Sequence, residues 1–319
     1  MNPTLPSGLA GNLRTALTPS RIMPTITLIV LILIVGGIRP QFFSAYSLQS
    51  LASAAGPLIL LSCGEFAAIL LGGTDLSIGA ITALGTVLTA MWLGHTSSWL
   101  VIIAVLVIMA GMGAVNGAVN VVAQIPSFIT TLGTMGLWTG VALVISGAQS
   151  IEVIDPAALS WLANYSGGVP NGFILALIAA IILGLAMRYL PGGHLGMYAV
   201  GWAESAAVMS GLRVAWIKIT AFTLAGLFSG LAALVLVGQT SSGDPTSAAS
   251  FLLPAIASVI VGGNAITGGA GGVYRAVIGA CIITVVENGI SVVGISAFTE
   301  QIIYGVVLIF AAGLTMDRS

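Results

Sequence analysis

Few side chains in this sequence could do chemistry, and the informative ones interrupt apolar runs. They are Glu65 in SCGEFAAIL, Asp75 in LLGGTDLSIGA and Glu287 in VVENGISVVG. An ionisable group inside a membrane span is costly and marks a functional site by default. Asp75 follows Gly72 and Gly73 at the start of an apolar segment. There a carboxylate can accept hydrogen bonds from free backbone N–H groups and face the positive end of a helix dipole, with Ser77 assisting. A coupling-ion or proton role is the alternative. Glu65 is expected to cap a helix or to pair with Lys218 or Arg275. Catalytic patterns are missing from the sequence. It has no Gly-x-x-x-x-Gly-Lys loop, and its sole lysine, Lys218, follows Arg-Val-Ala-Trp-Ile, so the chain has no phosphate cradle for hydrolysing ATP. Neither His95 nor His194 lies in a His-Glu-x-x-His or Cys-rich pattern, so no metal site is expected. No Ser, Cys or Asp nucleophile has a recognisable partner constellation. Cys63 and Cys281 lie in apolar segments, where a free cysteine packs as a small hydrophobe.

The elements that must position these groups are membrane helices. Only 5% of the residues are charged and 58% are hydrophobic, whereas soluble domains carry about 25% charged residues; a water-soluble fold is excluded. Eight cations leave no basic surface for nucleic acid. A spanning helix needs about 20 mostly apolar residues. On that template about ten candidates run over 22–38, 48–71, 75–93, 99–122, 127–146, 172–189, 215–238, 251–262, 273–293 and 298–314. The eighth is too short to cross unaided and reads as a half-helix or as one extended by its neighbours. The first is followed by Arg39-Pro40-Gln41 without a cleavage pattern, so it reads as a retained span. The predicted fold is all-α, a polytopic bundle of about ten transmembrane helices with two internally related halves. Residues 22–315 would form the transmembrane domain between cytoplasmic tails 1–21 and 316–319.

Lys and Arg concentrate on the cytoplasmic side of a membrane. With the N-terminus inside, Arg14, Arg21, Arg188, Arg213, Lys218, Arg275 and Arg318 fall on that side and only Arg39 falls outside. The outer loops then hold Glu152, Asp155, Asp244 and Glu300. The stretch Arg188 to Lys218 collects three of the eight cations around a short helix bracketed by Gly201 and Gly211. A rigid lever worked by another polypeptide would look like this. An interfacial amphipathic helix would carry a basic face, and here the polar content is Glu204, Ser205 and Ser210.

Glycine, at 42 residues, exceeds what a soluble helix bundle tolerates, whereas membrane helices associate through small residues. Gly113, Ala114 and Gly117 share a helix face; Asn116 and Asn120, four apart on a neighbouring stripe, could bond a neighbouring helix or line a passage. Two glycine-rich stretches, GGTDLSIGA at 72–80 and GGNAITGGAGG at 262–272, break apolar runs. Their marked residues are Gly72, Gly73, Asp75 and Ser77 in the first and Gly262, Gly263, Asn264, Gly268 and Gly269 in the second. Irregular backbone at membrane depth must be sheltered by protein or line a cavity, and paired interruptions often mark a transporter's working centre. A second echo pairs Gly-Thr-Asp-Leu-Ser at 73–77 with Gly-Asp-Pro-Thr at 243–246, on opposite faces by the topology above. The glycine-rich pair lies on one face, so the two alignments cannot both reflect one symmetry.

These stretches carry a resemblance. LLGGTDLSIGAITAL, VIVGGNAITGGAGGVYRAVIGA, YAVGWAESAAVMSGLRV and IPSFITTLGTMGLWTG resemble, in order, the signatures of the ribose-type sugar permeases of ABC importers. The resemblance implies a membrane subunit paired with a second permease subunit, as homodimer or heterodimer, in the bacterial inner membrane among lipid. An ABC ATPase subunit holding ATP and Mg would sit beneath and an extracytoplasmic sugar-binding protein above. The cytoplasmic coupling helix would span about 201–212, with Gly201, Glu204, Ala206, Ser210 and Gly211 matching the family pattern and Ala203 and Val208 departing from it. Expected passage residues are Asn116, Asn120, Phe128, Thr131, Thr134 and Trp138, with Trp138 alternatively an outer-interface anchor. Glu287 and Asn288 could hydrogen-bond sugar hydroxyls, or Glu287 could be neutral or paired inside the bundle. Glu152, Asp155, Asp244 and Glu300 would form an acidic platform for the binding protein. The rival reading is a stand-alone secondary transporter or channel for a small polar solute.

Overall fold

The computed structural model describes residues 19–189 and 194–293, together with 302, 305 and 306. Within them the chain is an all-α bundle. Its helices in chain order are α1 (Pro19–Ile38), α2 (Ala45–Leu70), α3 (Ile78–Trp92), α4 (Ser98–Val122), α5 (Ser127–Ser146), α6 (Ala157–Ala163), α7 (Asn171–Tyr189), α8 (His194–Trp202), α9 (Glu204–Met209), α10 (Val214–Thr240), α11 (Leu252–Val261) and α12 (Val273–Val293). Each of the first nine expected spans coincides with one of these helices. The tenth, over 298–314, lies outside the described residues save for 302, 305 and 306, and Glu300, Arg14, Arg318 and the C-terminal tail lie outside them altogether. Six helices (α2, α4, α5, α7, α10 and α12) are long and apolar enough to cross a bilayer, which makes this a multi-pass membrane protein.

The bundle is built round α2. Every residue from Ala55 to Leu70 is buried, as befits a helix apolar on all sides. Helices α10, α12, α7 and α11 pack against it. The most extensive crossing is between α10 and α4, where glycines bring backbones together. A Cβ on Gly113 would run into the Phe222 carbonyl, and one on Gly226 into the Met109 carbonyl. The stripe read from Gly113 and Gly117 is thus a helix crossing, held by close packing as membrane helices require. By contrast α4, α5 and α7 expose Ile103, Val107, Leu137, Val144 and Ile181, a surface suited to lipid or another subunit.

Two of the expected spans are short for a membrane crossing. With 15 residues, α3 rises about 22 Å, against a hydrocarbon core of about 30 Å. It begins three residues later than the sequence suggests because Asp75 and Ser77 form a turn before it. The other is α11, the eighth expected span, with 10 residues. It too follows an aspartate turn. Ser77 donates from its backbone N (2.9 Å) and hydroxyl (2.6 Å) to Asp75 Oδ1, and Thr246 makes the same two bonds, each 2.7 Å, to Asp244 Oδ1.

At one end of the bundle the long connection 147–170 folds into α6 and two short strand pairs. Ile151–Glu152 pairs antiparallel with Ser242–Gly243, tying it to the loop after α10. At the other end α8 meets the end of α2 and the loop after α11.

Candidate functional site

That second meeting point is a junction of three backbones. Gly269 N donates to Leu70 O at 2.9 Å, joining the second glycine-rich loop to the end of α2. Helix α8 inserts Gly201 into the same spot, where a Cβ would overlap the Leu70 carbonyl and stand 2.6 Å from Gly269 N. Gly268, at φ +85°, has no room for a side chain either, since its Cβ would lie 2.5 Å from Gly72 N and 3.0 Å from Gly201 O. Gly72, Gly268 and Gly269 all have positive φ, conformations in which glycine meets no steric cost. The two glycine-rich breaks therefore touch each other, and the helix preceding α9 touches the second and the end of α2 that leads into the first.

The loop is closed from within. Asn264 donates its Nδ2 to Val259 O (2.8 Å) and accepts from Gly272 N (2.7 Å), while Arg275 Nη1 holds Gly263 O at 2.7 Å. Gly262 lies where α11 and α12 cross, since a Cβ there would run into the Arg275 carbonyl.

The expected single lever over 201–212 is two helices instead. The chain breaks at Ala203, which is extended (φ −158°, ψ 96°), and α9 runs only from Glu204 to Met209. Gly201 consequently lies inside α8 and does not bracket the short helix; its role is the close approach just described. Gly211 does end it. At φ +78° Gly211 donates its N–H to Val208 O, and Leu212 N reaches back to Ala207 O, a Schellman ending. Ser210 Oγ bonds Ala206 O at 2.9 Å. Of α9 only Ala207 is buried; Glu204, Ala206, Val208, Met209 and Ser210 are exposed, as is Trp202 before it. Sequence reasoning missed Trp202 and Met209 as exposed apolar groups. It also missed the partner of Lys218, which forms an ion pair with Glu204 at 2.7 Å.

That pairing corrects the expectation for Glu65. Neither Lys218 nor Arg275 is bonded to it; its Oε1 accepts from Asp75 N at 3.2 Å, and it is fully buried. Asp75 and Ser77 are also fully buried. Asp75 serves the turn ahead of α3, and the Ser77 side chain makes no cap bond to the helix. Asn116 Nδ2 completes the group, 2.7 Å from Ser77 Oγ and 3.5 Å from Asp75 Oδ1.

The passage candidates are accordingly dispersed. Asn116 is buried in that network rather than on a surface. Asn120 bonds Ile125 O at 2.6 Å and lines a cleft with Gln124, Glu204, Val208 and Lys218. On α5, Thr131 is buried and bonds Ser127 O, Thr134 bonds Thr131 O, Phe128 is exposed and Trp138 is half-buried. Asn288 lines a separate cleft at the other end with Arg39, Gln41, Tyr46 and Ser50, and Glu287 is its half-buried neighbour on α12.

At the end opposite the junction, the strand pair sets exposed Glu152 beside the turn containing Asp244, and Asp155 accepts from Ala157 N at 3.2 Å to start α6. Bonds from the Thr246 backbone and hydroxyl hold the Asp244 carboxyl below its ordinary 3.8.

The sequence profile described as "Branched-chain amino acid transport system / permease component" matches residues 47–312. The chain is 32% identical to the ribose import permease protein of Bacillus subtilis, over 93% of this chain and 92% of that one. It is 31% identical to the D-allose transport system permease protein of Escherichia coli (91% and 89%) and 30% identical to the L-arabinose transport system permease protein of the same species (88% and 84%). No solved structure matches the chain. Glycine-broken apolar helices meeting over a short exposed helix, and likeness along nearly the whole length of such proteins, place the chain in this family of transport-system permease components.

Proposed function

We propose that this chain is the membrane-spanning subunit of an ATP-binding cassette importer, passing a monosaccharide of the ribose type or a related polyol into a bacterial cell. The observation that carries the reading is the junction of Gly201 with Leu70 and Gly269. A helix exposed below the bundle is joined through it to both interrupted regions of the membrane part, which is what a lever driven from outside the chain needs. Relatives named for ribose, allose and arabinose supply the solute class.

In this reading an ATPase subunit binds ATP and Mg and grips α9 through Glu204, Ala206, Ser210 and the exposed Trp202, Val208 and Met209. Arg188, Arg213, Lys218 and Arg275 flank the connections at that end, which supports placing it and both termini in the cytoplasm of an inner-membrane protein. A sugar-binding protein docks on Glu152, Asp155, Asp244 and Glu300. The passage opens between this subunit and a second permease subunit, along the exposed faces of α4 and α5, with Phe128, Thr134 and Trp138 at its wall and Glu287 and Asn288 nearer its mouth. The matching turns at Asp75 and Asp244 support two halves of opposite orientation within about ten spans.

The test is reconstitution. Proteoliposomes holding this chain with its ATPase should take up sugar only when the loaded binding protein and ATP are both supplied. Solute moved by the purified chain alone, without an ATPase, would remove the proposal.

A further inference from the structure

The network of Glu65, Asp75, Ser77 and Asn116 leaves oxygens unused in a pattern that points to a bound ligand. Each carboxylate commits one oxygen to the protein. Glu65 Oε1 accepts from Asp75 N, and Asp75 Oδ1 accepts from Ser77 N, Ser77 Oγ and Asn116 Nδ2. The other two, Glu65 Oε2 and Asp75 Oδ2, are buried without a partner. Two neutral side chains, each 0% exposed, add to this: Asn116 Oδ1 and Ser62 Oγ are also buried and unpartnered. Asn116 reaches the group from α4, and its amide bond to Ser77 aims the carboxamide at the cluster. Ser62 precedes Glu65 by three residues on α2, which puts both on one helix face.

Charge points the same way. Two carboxylates removed from water side by side require a compensating positive charge. Among the described residues, the cations on helices packed against α2 at this end have partners elsewhere, Lys218 in Glu204 and Arg275 in Gly263 O. The other titratable groups on α2 and on the helices packed against it are Tyr46 and Cys63 on α2, His194 and Tyr198 on α8, Arg188 and Tyr189 in the last turn of α7, and Tyr274, Cys281 and Glu287 on α12. The helices α4 and α5, which contribute Asn116 and Ser127 around the Asp75 turn, carry no charged residue.

We propose that this cluster is a cation site, where one positive charge, a proton or a sodium ion, is held between the free oxygens of Glu65 and Asp75. A proton would join those two oxygens alone; a sodium ion would also draw on Asn116 Oδ1 and Ser62 Oγ. In both cases the charge ties the first glycine-rich break to α2, about a turn and a half from the Leu70 carbonyl that receives Gly269. The site stands whether or not the solute is a sugar, because nothing in it touches the proposed passage.

The experiment uses the purified full-length protein with its partner subunits, and reads the thermal midpoint by tryptophan fluorescence. Sodium is exchanged for choline at constant ionic strength, and pH is varied from mildly acid to mildly alkaline. Occupancy should raise the midpoint of the wild type by about 5 °C, and Glu65→Gln, which brings its own hydrogen to the site, should lose that dependence. A sodium response that Asn116→Ala also abolishes assigns a sodium ion. A pH response indifferent to sodium and lost in Glu65→Gln assigns a proton. A wild-type midpoint flat to both, or a response unchanged in Glu65→Gln, overturns the site. Should Glu65→Gln fail to assemble, Asp75→Asn takes its place with the same outcomes. If neither assembles, infrared difference spectra of the wild type decide: a carboxyl carbonyl band that changes with sodium or pH sustains the site, and a silent spectrum overturns it. Failure of uptake in proteoliposomes with this response intact would count against the importer alone.

Discussion

Replacing Gly201 with alanine adds one methyl group at the point where α8 meets the second glycine-rich loop and the end of α2. The new carbon would lie 2.6 Å from Gly269 N, where ordinary contact begins at 3.4 Å, so the two must part by about 0.8 Å. Parting from Leu70 O must be larger still. The obstructing atoms are backbone, not the ends of flexible side chains, so α8 or the loop has to move as a body. A shift of that size stretches the 2.9 Å bond from Gly269 N to Leu70 O past hydrogen-bonding distance. Overpacking costs about 1 to 3 kcal/mol and the lost bond about 1 kcal/mol. Together that is about 2 to 4 kcal/mol, or a factor of roughly 30 to 800 in how often the junction is closed. In proteoliposomes with ATPase and binding protein, ATP hydrolysis should continue while sugar taken up per ATP falls by about tenfold or more. Gly37→Ala is the control, because its Cβ meets nothing within 4 Å. Wild-type uptake per ATP together with a wild-type thermal midpoint in Gly201→Ala would refute the reasoning.

Gly226→Ala drives a methyl group into the Met109 carbonyl at the crossing of α10 and α4. It should lower the thermal midpoint through about 1 to 3 kcal/mol of overpacking, while any folded fraction keeps its uptake per ATP. Glu204→Lys should impair uptake, and Glu204→Lys with Lys218→Glu should restore part of it. The ion pair itself, with Glu204 54% exposed, is worth about 1 kcal/mol or less, so a midpoint change much larger than that would show another role for Glu204. Reversing Glu152 and Asp155 to lysine should weaken binding-protein-stimulated uptake without altering basal ATP hydrolysis; unchanged uptake would remove the docking platform. Since its partners hold the Asp244 carboxyl below 3.8, the Asp244 turn contributes fully above that pH and is lost as pH falls through the lowered value. Amide exchange at Thr246 should speed up in acid, and Asp244→Asn should remove the pH dependence.

The spans were legible in the sequence because their signal is one-dimensional. Length and apolar composition alone locate a membrane helix, so the ends of α4, α5 and α12 could be read to within a residue or so. The breaks at 72–80 and 262–272 were legible for the same reason, as polar, glycine-rich letters in apolar text. Contacts across the bundle were not. Asn116 and Asn120 read as one stripe because they are four apart, yet Asn116 turns to Ser77 across a helix interface and Asn120 turns to Ile125 in its own following loop. Glu65 looked like a partner for Lys218 because charges at one end of a bundle attract, and spacing along the chain does not reveal that Asp75 N lies closer. Ala203, which divides the expected lever in two, carries no helix-breaking chemistry at all.

Gly201 and Gly211 show the remaining difficulty. Glycine is required for two unrelated reasons, a positive φ that other residues resist or an approach too close for a Cβ. Gly211 is the first kind, and its place after a short helix announces it. Gly201 is the second kind, helical in its own backbone and indispensable only because Leu70 and Gly269 lie against it. Read along the chain the two look like matched brackets; in three dimensions one ends a helix and the other joins three. The distinction can be tested by comparing substitutions. A D-alanine at 211, introduced by semisynthesis, adopts the φ of +78° without strain, so it should preserve uptake per ATP. An L-alanine at 201, although its helical φ suits it, should open the junction, since its Cβ must displace the Leu70 carbonyl and Gly269 N. Full uptake per ATP with L-alanine at 201 would mean that the contact with Leu70 and Gly269 transmits nothing.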